Sequence, residues 1–121
     1  MKNLAIITIS SIILLFNSAN AQYNGPSNTS KTTTVEAIKK NASQLDKTDA
    51  LVKVEGFVIQ KINKDTYWFQ DATGKILVEI DQKDLPSFPF DDKTKLIIIA
   101  EVDYDLLEEV ELEVETIQIA Q

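Results

Sequence analysis

The sequence predicts a mainly β fold: a five-stranded Greek-key barrel with one short N-terminal α-helix. Three observations carry that prediction. Residues 67–81 read as two strands around a tight turn. The segments 51–62, 93–103 and 110–119 alternate apolar and polar residues, the period of two that a half-buried strand requires. Gly56 stands in the middle of the first segment, where it suits a bulge or sharp bend that lets one strand join both halves of a small barrel.

The hairpin is the clearest unit. Tyr67 and Phe69 share one face, as do Ile76, Val78 and Ile80, because side chains repeat every two residues along a strand. Asp71-Ala72-Thr73-Gly74 supplies the reversal: Asp can accept from backbone two residues on, and Gly adopts positive φ without steric cost. Asp71 is therefore read as structural.

The remaining elements follow in chain order. Met1-Lys2-Asn3, an apolar run from Leu4 to Phe16 and Ala19-Asn20-Ala21 form an export signal expected to be cleaved after Ala21. The run is too short to span a bilayer, which takes about 20 apolar residues. Residues 22–32 are polar and read as a flexible lead-in to a domain over 33–121. Thr33 and Glu36 have capping-box spacing, and Val35, Ala37, Ile38, Ala42 and Leu45 give one short helix ending near residues 41–43. Leu51 to Ile62 is the first strand, and Asn63-Lys64-Asp65 turns the chain into the hairpin. Gln82 to Asp92 holds two prolines; its Leu85, Phe88 and Phe90 are expected to fold back over one end of the core. In the fourth strand Leu96, Ile98, Ala100 and Val102 face inward, and in the fifth Val110, Leu112 and Val114 alternate with Glu111, Glu113 and Glu115. Five strands, short connections and a glycine-bent first strand describe a barrel of the oligonucleotide/oligosaccharide-binding (OB) type.

Thr34-Val35-Glu36-Ala37-Ile38, Val52-x-Val54-x-Gly56, Tyr67-x-Phe69-x-Asp71-Ala72-x-Gly74-x-Ile76-x-Val78-x-Ile80-Asp81 and Glu101-Val102-Asp103 together resemble the bacterial OB-fold (BOF) family, small exported proteins of the YgiW/YdeI stress-tolerance type. The resemblance runs from about Thr34 to Ile117 and includes the preceding export signal. It departs at Ala100, where the family carries glycine, and at Gln82 to Phe90, which replaces a Trp-x-Gly pattern. The resemblance implies a periplasmic single-domain protein linked to envelope stress that binds a ligand and does not turn one over.

Composition narrows the chemistry. The chain has neither histidine nor cysteine. A Ser-His-Asp triad, a thiolate nucleophile, a zinc site of His or Cys ligands and a disulfide are all excluded. With 19 acids, a carboxylate pair at glycosidase spacing carries no information, and the chain is read as a non-enzyme without cofactor. The clusters Asp81/Asp84, Asp91/Asp92 and Asp103/Asp105 lack EF-hand spacing and read as solvated acids, so no metal site is assigned. Net charge is −7, and about −8 once Lys2 leaves with the signal. Such a surface repels nucleic acid and anionic lipid and favours cations or basic partners.

With Tyr67 and Phe69 inward, Trp68 and Gln70 face outward, as do Leu77, Glu79 and Asp81 on the next strand; Phe57 joins them depending on the bend at Gly56. Barrels of this type commonly bind ligands on that surface. A Trp beside carboxylates suits a sugar ring or a cationic peptide; alternatively, the N-terminal segment or helix covers Trp68. The candidate ligand-binding set is Trp68, Gln70, Leu77, Glu79, Asp81 and Phe57. The expected partner is a small, cationic or glycan-containing ligand, or else an envelope protein met through the acidic surface or a sheet edge. The chain is expected to be monomeric and not membrane-embedded. The row Glu111/Glu113/Glu115 reads as a wet face that also discourages edge pairing.

Overall fold

A computed structural model describes residues 31–120. The expected export signal, and the lead-in as far as residue 30, lie outside the described residues. The elements are β1 (Thr32–Thr33), α1 (Val35–Lys40), α2 (Ala42–Lys47), β2 (Leu51–Lys61), β3 (Thr66–Asp71), β4 (Gly74–Glu79), β5 (Leu96–Asp103) and β6 (Glu111–Ile119). A 3-10 turn covers Gln82–Asp84. The five strands expected from the sequence are β2 to β6. The extra strand β1 lies parallel to β2 through Thr32↔Lys53 and Thr33↔Val54, so Thr32, read as part of the lead-in, belongs to the sheet.

β2 closes the barrel. Its first half, Leu51 to Gly56, runs antiparallel to β5, and its second half pairs with β3 from Phe57 to Lys61. β3 pairs with β4 in the expected hairpin, β4 with β6 in parallel, and β6 with β5, which completes the circuit. Inside lies one apolar core containing Val54, Phe69, Ile76, Val78, Leu96 and Ile98, each at most 1% exposed. Leu85, Phe88 and Phe90 pack half-buried against it, as expected.

At Gly56, read as a bulge or sharp bend, β2 passes from β5 to β3 as expected, but the bulge itself lies further on. A Cβ at Gly56 would stand 2.3 Å from the Gln70 carbonyl oxygen and 2.9 Å from the Phe69 ring, so glycine is required where β2 crosses closely over β3. The register shift falls instead between Val58 and Gln60, where the extra residue, Ile59, is exposed and costs the core nothing. A second shift sits between Ile99 and Ala100 against Thr116 and Val114, which leaves Glu115 as the extra residue of β6. That insertion explains why Leu112 and Val114 are the inward residues before it and Ile117, opposite buried Ile98, comes after it.

The single expected helix is two, with Thr34 as N-cap in place of Thr33, because Thr33 is held in β1. Thr34 Oγ1 accepts from Ala37 N at 3.1 Å, and no reciprocal bond from Glu36 completes a capping box. At Asn41 the side-chain amide donates to the Ala37 carbonyl at 2.9 Å, competing with the helical ladder and separating α1 from α2. Val35, Ile38 and Ala42 are buried from this pair, which lies against β4 and β5.

Candidate functional site: an acidic sheet face

Two sets of carboxylates flank the hairpin, and they are built differently. Asp71 Oδ1 accepts from Thr73 N at 2.8 Å, Thr73 Oγ1 at 2.7 Å and Gly74 N at 3.2 Å, and its Oδ2 accepts from Val35 N at 2.9 Å. Thr73 Oγ1 in turn accepts from Glu36 N at 3.0 Å. The turn residues therefore take the first two N–H groups of α1, which a helix cannot satisfy internally. Partial burial alone would raise the Asp71 pKa, but these hydrogen bonds outweigh it and hold it below the ordinary value. Asp71 is structural, as the sequence indicated.

The second set lies on the outward face of β4, β6 and β5. Register places Glu79 opposite Glu113 and Glu113 opposite Glu101, while the neighbouring row sets Leu77 opposite Glu111 and Glu111 opposite Asp103. Like charges directly opposite one another are unfavourable. The titration behaviour follows. The pKa of Glu79 is raised by partial burial and by Asp65, Asp81 and Asp103. Those of Glu111 and Glu113 are raised by partial burial and by each other's neighbours across the strands, Asp103 and Glu79 in both cases. Glu101 is raised likewise by partial burial, Glu115 and Asp49.

At the upper end of this face the chain brings three acids together. One carboxylate oxygen each from Asp65, Glu79 and Asp81 lie within 4.8 Å of one another. Asp65 is positioned by the turn before β3: Asn63 Oδ1 accepts from Asp65 N at 3.2 Å and Thr66 N at 3.0 Å, and the Asp65 carbonyl accepts from Ile80 N at 2.8 Å. Thr66 and Glu79 are cross-strand partners, so Asp65 necessarily stands beside Glu79. A shallow groove of about 370 Å³ runs from here over Glu79, Asp81, Asp84, Glu101 and Glu113. Its one cation among the described residues is Lys83, whose ammonium lies 3.3 Å from Asp84 and 3.9 Å from Asp81.

All six predicted site residues surround this region, but they form no single pocket. Trp68 and Leu77 are cross-strand partners, and Glu79 follows on the same face with Asp81 just beyond β4. Phe57 pairs with Gln70, and Gln70 with Lys75, at the other end of the hairpin. Only Glu79 and Asp81 line the acidic groove. Trp68 is half-buried, and the Lys75 ammonium sits 4.6 Å from its ring centroid. Among the described residues, the chain's own Lys75 thus occupies one face of that ring.

Sequence reading paired Asp81 with Asp84 and missed Asp65, Glu101 and Glu113 as its companions. The signal was present: outward positions on three strands, adjacent in an OB topology, all carry glutamate.

The closed barrel and its outward sheet face define an OB-fold protein. The chain belongs to the bacterial OB-fold family: residues 15–119 match the family described as "Bacterial OB fold (BOF) protein". It is 39% identical over 99 residues to "Calcium-regulated OB-fold protein CarO" of Pseudomonas aeruginosa, covering 82% of this chain and 80% of that protein. It is 32% identical over 127 residues to an uncharacterized protein of Haemophilus influenzae, covering 100% of each. Among solved structures it is similar to the hypothetical protein ygiW from E. coli, with 35% identity, a TM-score of 0.66 and coverage of 81% of this chain and 97% of that one. Among the described residues no helix is long and apolar enough to cross a membrane.

Proposed function

We propose that this protein is a non-enzymatic binding module of the bacterial envelope, exported to the periplasm and active in stress tolerance, whose acidic outer face takes a cationic ligand. A divalent cation is the ligand that fits best. Asp65, Glu79 and Asp81 offer hard oxygen ligands from two turns and a strand, with remaining positions open to water. The observation that carries this reading is the stacking of like charges in direct register across β4, β6 and β5, which is unfavourable until a cation neutralises it. The calcium regulation in the name of the Pseudomonas relative supports the same chemistry. Calorimetric titration of calcium into the protein at fixed ionic strength tests it. Saturable binding, lost in Asp65→Asn and Asp81→Asn, is expected; equal heats in wild type and both variants would overturn it.

The outer hairpin surface around Trp68, Gln70, Leu77 and Phe57 extends this site for a larger ligand that carries a sugar or aromatic group beside its positive charge. Such a ligand would displace Lys75 from the Trp68 ring.

A second reading, an interaction module acting on another envelope protein, rests on one observation. Leu106 and Leu107 are 83% and 92% exposed in the β5–β6 loop, flanked by Asp105, Glu108 and Glu109. An apolar pocket rimmed by lysine or arginine would accept that tip. Crosslinking in cells followed by a salt series distinguishes it: the partner is expected to dissociate as salt rises and to be lost in Leu107→Ser.

A further inference from the structure

The side of the barrel covered by α1 and α2 holds a concavity of opposite character to the acidic face. It has a volume of about 470 Å³, and its floor is made by Ala37, Ile38, Leu45, Leu51 and Val52. Among the described residues two lysines, Lys31 and Lys53, line it, and no carboxylate does. In a chain of net charge −7 that is an unusual local balance. Neither lysine forms an ion pair among the described residues, in contrast to Lys40, Lys83 and Lys95. Asn41 and Gln44 add polar atoms at the rim.

The position of these groups follows from the fold. β1 lies against β2 and places Thr32 opposite Lys53. α1 and α2 bury Ile38 and Ala42 toward the core but leave Ala37 and Leu45 only half-covered. An apolar floor with a few convergent polar groups, in this size range, is the usual form of a small-molecule site. A cation would be repelled by the two ammonium groups, and a neutral apolar molecule would leave them unused. An anionic head with a single apolar tail satisfies both parts: the tail covers the floor and the carboxylate accepts charge-assisted hydrogen bonds from Lys31 and Lys53.

We propose that this concavity binds an anionic single-chain amphiphile, a fatty acid being the simplest, at a site separate from the acidic groove. Among the described residues the two sites share no lining residue. The proposal does not depend on cation binding, and failure of either leaves the other standing.

The test is a methyl NMR titration of the purified protein with dodecanoate and with dodecyltrimethylammonium, which carries the same tail and the opposite head. Dodecanoate, added below its micelle concentration, is expected to shift the methyl signals of Ile38, Leu45 and Leu51 saturably. The ammonium compound is expected to bind these positions at least roughly tenfold more weakly. Lys53→Glu and, as an independent variant, Lys31→Glu should each weaken dodecanoate by a similar factor without disturbing the signals of the Phe69 core. Calcium shifts at Asp65 should be unchanged in both variants. Equal binding of the two heads, or no saturable shift at these methyls, would overturn the proposal. So would groove methyls that show contacts to residues 22–30 of the same chain or shift with protein concentration, since the occupant would then be the chain itself or a second copy.

Discussion

Asp71 and Glu113 are acids on the same small barrel, and their surroundings move them in opposite directions. Asp71 sits among backbone N–H groups and a hydroxyl, four donors in all, and its charge is wanted by the fold. Glu113 sits between Glu79 and Glu101 across the strands, and its charge is opposed by partial burial and by those neighbours. One carboxylate joins a hairpin turn to a helix. The other belongs to a face whose charges repel one another in the absence of something positive. Acid content alone cannot separate these roles; the difference lies in what faces each group.

The comparison breaks most visibly at Asp71. Replacing it with alanine leaves Val35 N and the turn N–H groups without their acceptor. The expected loss is about 2–3 kcal/mol, or a fall of roughly 10–20 °C in Tm, read by thermal denaturation. A loss no larger than that of an ordinary surface acid would refute the structural role. Thr73→Ala removes only the acceptor for Glu36 N and the donor to Asp71, and should cost about 1 kcal/mol. Thr73→Ser, which keeps both bonds, should restore most of it.

The acidic face should respond with the opposite sign. Glu113→Gln relieves two like-charge pairs and is expected to stabilise the protein by about 0.5 kcal/mol, discounted for exposure to solvent. Added salt should shrink the gain, because screening weakens the repulsion in the wild type.

The pH dependence of stability joins the two regions. Glu79, Glu101, Glu111 and Glu113 have folded pKa values above the ordinary 4.5, so their penalty is complete above those raised values and is relieved as pH falls toward 4.5. Asp71 lies below the ordinary 3.8, so its stabilising effect is complete above 3.8 and disappears as pH falls through the lowered value. Tm is therefore expected to rise on mild acidification and to fall in stronger acid. Glu113→Gln should flatten the rise and leave the acid fall in place.

Much of the barrel was legible because apolar alternation is a direct record of which face is buried. β5 alternates as the sequence implied from Leu96 to Val102. The second bulge escapes the sequence reading, which alternates through 110–119, although the change of parity from Leu112 and Val114 to Ile117 marks the extra residue. The location of the first bulge was not legible, since Gly56 serves a close backbone crossing and Ile59 carries no special residue type. The capping of α1 by Asp71 and Thr73 depends on contacts across more than 30 residues of chain, which local spacing cannot report, whereas the break at Asn41 rests on a local bond to the Ala37 carbonyl that the apolar spacing did not reveal. For the site, strand parity placed Glu79 outward, but only the parallel pairing of β4 with β6 puts Glu113 beside it. Asp65 joins them through a turn whose position relative to Ile80 is a tertiary fact.

The central claim is that the acidic face binds a cation at a defined place. The most direct measurement is an amide NMR titration with calcium chloride at constant ionic strength. Saturable shifts concentrated at Asp65, Glu79 and Asp81, absent from an Asp65→Asn/Asp81→Asn variant, are the expected result. Shifts that do not saturate, spread over all the surface acids and recur in the double variant, would contradict it.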